Sequence, residues 1–369
     1  MNKDPIVIVS MARTPMGGFG GDLAPMPATK LGSIAIEATL ARTNMDATDV
    51  DEVYMGCVLP AGLGQAPARQ AALGAGLPVS AGCTTINKVC GSGMKTVMIA
   101  HDSLVVGENE VIIAGGMESM SNAPYLLEKH RSGQRLGHGH VKDHMFLDGL
   151  EDAYDPGRLM GTFAQATADS YGFSREQQDD YAIRSTTRAQ DAIQNGAFDS
   201  EITPVTVKTR RGDFDVLIDE QPGKAKLDKI PLLKPAFAKD GTVTAANSSS
   251  ISDGAAAVLL MRESTAIAKG LEPLCRIVGY TTNSRKPEDF TIAPVGAVEK
   301  LLTKVNWQVS DVDLFEINEA FAIVAMAAIQ DLGLDDTKVN IHGGACALGH
   351  PLGASGTRIL VTLLVLQSR

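Results

Sequence analysis

Asn87-Lys88-Val89-Cys90-Gly91-Ser92-Gly93-Met94-Lys95 is the stretch whose reading decides the fold. Before the cysteine, Thr84–Val89 is rich in β-branched residues and reads as a short strand; after it, Met94–Val106 reads as an apolar helix. Strand, glycine turn and helix in that order place Cys90 at a helix N-terminus. Free N–H groups and the helix dipole there favour the thiolate over a thiol whose ordinary pKa is about 8.5. Gly91 and Gly93 let a substrate approach the backbone, whose N–H groups suit an oxyanion. A small buried cysteine beside a tight turn fits the same local pattern.

Working outward, Ile6–Ser10, Glu52–Met55 and Glu110–Ala114 read as further strands, and Lys30–Thr43 as a helix between them. Strands alternating with helices make this a layered α/β fold. The pattern also recurs. Asp49-Val50-Asp51 and Asp311-Val312-Asp313 each precede an apolar strand, and Ser92-Gly93 and Ser355-Gly356 each open an apolar helix. The nearly constant offset implies two copies of one α/β unit. From Asn122 to Thr242 the character turns polar and mixed in charge, which reads as an insertion; long surface insertions cost little loop entropy. The resulting division is residues 1–121 with 243–272 as a first half, 122–242 as an inserted loop domain, and 273–369 as a second half.

Bulk properties narrow the function classes. The 369 residues, 44% hydrophobic, suffice for two or three domains. The longest apolar runs, Ala320–Ile329 and Ile359–Leu366, fall short of the roughly 18 residues of a membrane span, so no membrane role is expected. Met1–Pro5 leads directly into a strand without the pattern of a signal peptide. A net charge of −10 argues against a nucleic-acid partner. Five cysteines, odd in number and without CxxC spacing, point away from disulfides and zinc knuckles and toward a reducing compartment, with the cytoplasm the expected location.

Two further residues stand out. His350 lies in the glycine-dense stretch from Gly343 to Gly356, between an expected strand, Lys338–Ile341, and a helix. Such a loop suits close packing against a ligand with the imidazole as base, although a histidine satisfied by nearby carbonyls fits as well. Asn318 follows an expected strand, Asp313–Ile317, and stands where a helix over Glu319–Asp331 begins, so it reads as an N-cap, a functional amide or both. Cys346 reads as a packed loop cysteine. His138, His140, His144 and Asp143 have the composition of a metal cluster but not the spacing of a closed site, and no metal is expected. Lys208, Arg210, Arg211, Lys224, Lys226, Lys229, Lys234 and Lys239 concentrate positive charge in an acidic chain. They suit a solvated face balanced by nearby carboxylates or, as a group, the phosphates of an anionic ligand.

The blocks Asn87–Lys95, Asn318-Glu319-Ala320-Phe321 and Gly349-His350-Pro351, occurring in that order, resemble the thiolases over residues 5–369. The resemblance implies a five-layered αβαβα core of two similar halves with an inserted loop domain that binds coenzyme A. It implies acyl transfer among coenzyme A thioesters, which are substrates, with no cofactor. Acetyl-CoA, acetoacetyl-CoA and coenzyme A are the partners, and the assembly is a homo-oligomer. Ala123–Val141 resembles the tetramerisation segment of the family, and Gly62–Arg69 brings the chain closer to its short-chain acetyl-CoA acetyltransferases.

By the match, Cys90 carries the acyl group, His350 takes its proton, and Asn318 holds a water at the enolate oxygen of the second substrate. The matching positions for the pantetheine and acyl channel are Met160, Phe237, Ala245, Ser249 and Phe321, with Lys224 among the candidates for the coenzyme A phosphates. Leu159 and Phe290 depart from residues common in short-chain members, which leaves a thiolase of broader chain length as an alternative. The family's second reactive cysteine, near a C-terminal glycine run, has no counterpart here. By the internal repeat, Met94–Val106 maps onto Thr357–Arg369, and a following strand would begin beyond Arg369. The sequence therefore leads one to expect a further segment of roughly 20–25 residues bearing that cysteine, or else an acyl-CoA-binding protein impaired in turnover.

Overall fold

A computed structural model describes residues 4–43, 45–210 and 212–367. Its spine is a mixed sheet in the order Cys275–Arg276, Ile6–Arg13, Ser252–Arg262, Val111–Ser119, Glu52–Gly56, Gly82–Ile86, with Gly17–Gly18 pairing beside Ser252–Arg262. Glu52–Gly56 runs parallel to both its neighbours, while Ser252–Arg262 is antiparallel to Ile6–Arg13 and to Val111–Ser119. Thus the chain leaves the sheet after Ser119 and returns to its centre 133 residues later, at Ser252.

The central strands are buried on both faces, and alternate side chains feed two different cores. Met55, Ile113, Met117 and Leu259 meet Leu31, Ala35 and Ile36 of the Ala28–Ala41 helix. Ile112, Ala114, Val258 and Leu260 meet Val97, Ala100 and Leu104 of the Ser92–Val106 helix and Val361, Leu364 and Val365 of Leu352–Gln367. Beyond these two helices lies a fourth layer. Glu316 points toward Arg358 of the Leu352–Gln367 helix, while its neighbours Phe315 and Ile317 pack with the Ala322–Leu332 helix. The α–β–α–β–α order is therefore present.

The fourth layer is slighter than the sequence suggests. Asp313–Ile317 and Lys338–Ile341 run parallel but touch through a single bridge, Phe315 with Val339. The ladder stops because the Asn340 side chain replaces its next rung, accepting from the Ile317 N–H and donating to the Ile317 carbonyl, each at 2.8 Å. Its left-handed backbone (φ +48°) turns the chain away at the same point.

Other boundaries shift for equally local reasons. Val111–Ser119 continues through Gly115-Gly116, where the sequence suggests a stop. These glycines admit close neighbours: a Cβ on Gly116 would stand 1.9 Å from the Gly353 carbonyl oxygen. The nucleophile strand ends earlier than expected, at Ile86, and its helix begins earlier, at Ser92, so the glycine turn is partly helical. In the expected helix Thr357–Arg369, Ser368 and Arg369 lie outside the described residues. No helix among the described residues is long and apolar enough to cross a membrane.

Candidate active site

The turn bearing Cys90 is held by its own side chains. The Val89 N–H donates to Asn87 Oδ1 at 2.9 Å, and the Lys88 N–H to Ser92 Oγ at 2.8 Å. Ser92 Oγ in turn donates to the Val89 carbonyl at 2.6 Å. These bonds hold Val89 at φ +47°, a conformation a β-branched residue avoids at a cost of about 1–3 kcal/mol. Strain of this kind, kept beside a thiol at the start of a 15-residue helix, marks the turn as built for aim.

His350 approaches from the other half of the chain. Its loop lies between the short helix Ala345–Leu348 and Leu352–Gln367, and its backbone N–H donates to the Ser250 carbonyl at 3.2 Å. Gly349 (φ +105°) is required there, because a Cβ would fall 2.2 Å from Ser252 Oγ. The imidazole is 5% exposed, with Nε2 3.1 Å from Cys90 Sγ and Nδ1 2.5 Å from Ser355 Oγ. Ser355 Oγ donates its one proton to the Pro351 carbonyl at 3.0 Å, so it accepts from Nδ1–H. The proton is thereby fixed on Nδ1, and the Nε2 lone pair faces the thiol.

Both groups rest uncharged. Burial, with a smaller push from Arg358, lowers the His350 pKa to about 4. Burial raises Cys90 to about 11, overcoming a backbone hydrogen bond that pulls the other way, and the Glu118 carboxylate adds to the rise. Desolvation at the sulfur thus opposes the helix N-terminus, which by itself favours the thiolate. The pair can still pass a proton directly from Sγ to Nε2 as the sulfur attacks.

Asn318 completes the triangle, its Nδ2 3.4 Å from His350 Nε2, while its buried Oδ1 has no partner among the described residues. It caps nothing. The helix that follows runs Ala322–Leu332, with Phe321 at the cap position and the Ala322 N–H donating to the Asn247 carbonyl. Glu319 anchors the loop, accepting from Tyr181 Oη, Ser185 Oγ, Asn340 Nδ2 and the Cys346 N–H.

A cavity of about 350 Å³ adjoins the His350 loop, lined by Lys224, Lys226, Lys229, Ala245, Ser250 and Cys346 among others. Lys224 is paired with Glu220, which raises the lysine's pKa, so much of its charge is already answered. Lys226 has no ion-pair partner among the described residues, and Lys229 leans on the exposed Asp228 at 3.4 Å. Ser249 does not line this cavity, although Ser248 and Ser250 do. Met160, Phe237 and Phe321 pack together beside it, with the Phe237 and Phe321 rings 6.1 Å apart. Of the remaining basic residues, Lys208, Arg210, Lys234 and Lys239 are not in its wall, and Arg211 lies outside the described residues.

The polar histidines separate. His144 is buried with Nδ1 on Asp148 at 2.5 Å, accepting from the Ala61 N–H on Nε2, whereas His138 and His140 are exposed. Sequence reasoning missed Ser355, whose spacing of five from His350 on a new helix was a readable signal. It also missed Glu118, for which no local signal exists.

Comparison with known proteins now adds to the geometry. Residues 6–264 match the family model described as thiolase, N-terminal domain, and residues 271–369 match thiolase, C-terminal domain. The chain belongs to the thiolase family. This thiolase is 52% identical to acetyl-CoA acetyltransferase 2 of Arabidopsis thaliana, covering 100% of the chain and 92% of that protein. It is 49% identical to acetyl-CoA acetyltransferase of Schizosaccharomyces pombe (98% and 92% covered) and 46% identical to a probable acetyl-CoA acyltransferase of Staphylococcus aureus (97% and 92%). In the thiolase, the three motif blocks that lie far apart in sequence meet within hydrogen-bonding reach around Cys90 Sγ and His350 Nε2.

Proposed function

We propose that the protein is an acetyl-CoA acetyltransferase that condenses two acetyl-CoA to acetoacetyl-CoA and coenzyme A, or runs the reverse thiolysis, through an acyl-Cys90 intermediate. The observation that carries this reading is the 3.1 Å approach of Cys90 Sγ to an Nε2 whose tautomer Ser355 fixes. Sγ attacks the thioester carbonyl as its proton passes to Nε2, and the departing coenzyme A thiolate takes that proton from Nε2. The C–S bond to coenzyme A breaks and the C–S bond to Cys90 forms. The Cys90 backbone N–H serves the oxyanion of this step. In the second half-reaction the incoming acetyl-CoA gives up a C2 proton to the base that the family places on its second cysteine, and His350 and Asn318 stand at the resulting enolate oxygen. C2 then bonds to the acyl carbon, the C–S bond to Cys90 breaks, and the Cys90 thiolate is reprotonated. Incubation with acetoacetyl-CoA and coenzyme A tests the reading: continuous release of acetyl-CoA supports it, whereas a single acylation per subunit without turnover overturns it.

Asn318 divides the two half-reactions. Its amide is assigned only to the enolate, so Asn318→Ala is expected to slow condensation by roughly 2.7–4 kcal/mol of lost oxyanion stabilisation, about 10²–10³-fold. Acylation of Cys90, followed as one-turnover coenzyme A release, should change far less. Equal losses in both steps would remove Asn318 from this role.

Lys226 and Lys229 supply the positive potential for the phosphates of coenzyme A. Replacing both with glutamine should raise KM for acetyl-CoA several-fold at low salt, with the defect shrinking as ionic strength rises. Lys224→Gln should do less, because Glu220 already answers its charge. A KM indifferent to salt in the double variant returns these lysines to a solvated face.

A homotetramer is the proposed assembly. Supporting it, the hairpin pairing Tyr125–Leu126 with Lys142–Asp143 leaves Tyr125, Leu127, Leu136 and Val141 exposed. The five free cysteines support a reducing compartment such as the cytoplasm.

A further inference from the structure

Glu118 is the penultimate residue of the strand Val111–Ser119, with no exposed surface, yet no lysine or arginine among the described residues answers it. Its carboxylate is met by backbone instead. Oε2 accepts from the Val58 N–H at 2.9 Å and the Gly353 N–H at 2.8 Å; Oε1 accepts from the Leu59 N–H at 3.1 Å, with the Cys57 thiol at 3.6 Å. These donors belong to two segments distant in sequence, one packed beside Cys90 and one just after His350. Val58 and Leu59 form the apolar wall against which Cys90 packs. Gly353 is the second residue of the Leu352–Gln367 helix, three positions after His350, and its N–H belongs to the positive end of that helix.

We propose that Glu118 is a positioning residue for acyl transfer, a carboxylate clamp that ties the wall beside Cys90 to the helix behind His350 and so sets the sulfur-to-imidazole distance. The clamp has little slack: a Cβ on Gly353 would lie 2.9 Å from Glu118 Oε2 and 2.9 Å from the Cys57 Cα. The titratable groups that face Glu118 are the thiols of Cys57 and Cys90. Its negative charge opposes ionisation of Cys90, and burial holds its own pKa near 7 against the donors that pull it down. Glu118 therefore acts in two directions. It places the partner that accepts the Cys90 proton, and it discourages that proton from leaving early.

The two effects separate in the two conservative variants. Glu118→Gln removes the charge and turns an amide N–H toward one of the backbone donors. It should slow one-turnover acetylation of Cys90 by about 10- to 100-fold, the scale of a displacement near 1 Å, while KM for acetyl-CoA holds. The same variant should speed alkylation of Cys90 by iodoacetamide several-fold between pH 7 and 9, read on the Cys90 peptide by mass spectrometry. Glu118→Asp keeps the charge but shortens the reach, so acetylation should slow while alkylation stays at the wild-type rate.

The acetylation arm rests on Cys90 as the acyl carrier; the alkylation arm does not, and wild type left unacetylated by acetyl-CoA would sink that reading without touching the clamp's electrostatic half. Wild-type acetylation rates in both variants, or slower alkylation in Glu118→Gln, would overturn the proposal. Should Glu118→Gln not fold, Glu118→Asp decides alone: slow acetylation with normal alkylation supports the clamp, and normal acetylation overturns it.

Discussion

Cys90→Ala is expected to abolish acyl transfer, by on the order of 10⁴-fold or more, while coenzyme A still binds. The size of the effect follows from the chemistry. Without Sγ there is no acyl carrier, and no other thiol among the described residues is within reach of His350 Nε2. Cys57 is buried on Glu118, and Cys346, though in the cavity wall, is pushed to a very high pKa by burial and by Glu319. Binding should survive because Lys226 and Lys229, proposed to meet the phosphates, line a cavity whose wall does not include Cys90. Mass spectrometry after treatment with acetyl-CoA should find the acetyl group on the peptide containing Cys90. Label confined to Cys346 would refute the assignment outright.

His350→Ala should slow acetylation of Cys90 by about 10²–10⁴-fold, the usual worth of a positioned base. Its pH signature is more specific than its size. In the wild type the histidine gains a proton only as pH falls through about 4, and the thiol loses one only as pH rises toward about 11. Between these limits the neutral pair is the reactive form, so from about pH 5.5 to 9 the acetylation rate should vary only as the Glu118 carboxyl ionises near pH 7, and it should decline further as His350 gains its proton toward pH 4. In His350→Ala the thiol must ionise unaided, so the residual rate should climb with each unit of pH. A wild-type rate that also climbs tenfold per unit across this range would show that Cys90 reacts as a free thiolate and that His350 is not its base.

Much of this was legible in the sequence, and the rest fails for identifiable physical reasons. The strand, glycine turn and helix around Cys90 were readable because period and turn chemistry are local. Proximity of Cys90, His350 and Asn318 was not readable from any one stretch; only the joint presence of three motifs implied it. The dipole that favours a Cys90 thiolate is legible in the sequence because it belongs to the helix, whereas the desolvation that opposes it depends on everything packed around the sulfur. Asn318 looked like a cap because asparagine before a helix usually is one, but the helix starts three residues later than its sequence suggests. Lys224 reads as free in the sequence, but Glu220, one turn earlier on its own short helix, pairs with it. Glu118 was invisible, since its meaning lies in an acceptor role toward Gly353, 235 residues away.

The protonated state of Cys90 has a consequence for survival as well as for chemistry. Peroxide and related oxidants react with thiolates, and burial raises the Cys90 pKa and so disfavours the thiolate at neutral pH. An enzyme that kept its nucleophile permanently charged would expose it to sulfenic and sulfinic acid formation throughout its idle time. The same burial that disfavours the Cys90 thiolate should therefore also slow its oxidation while the enzyme is idle.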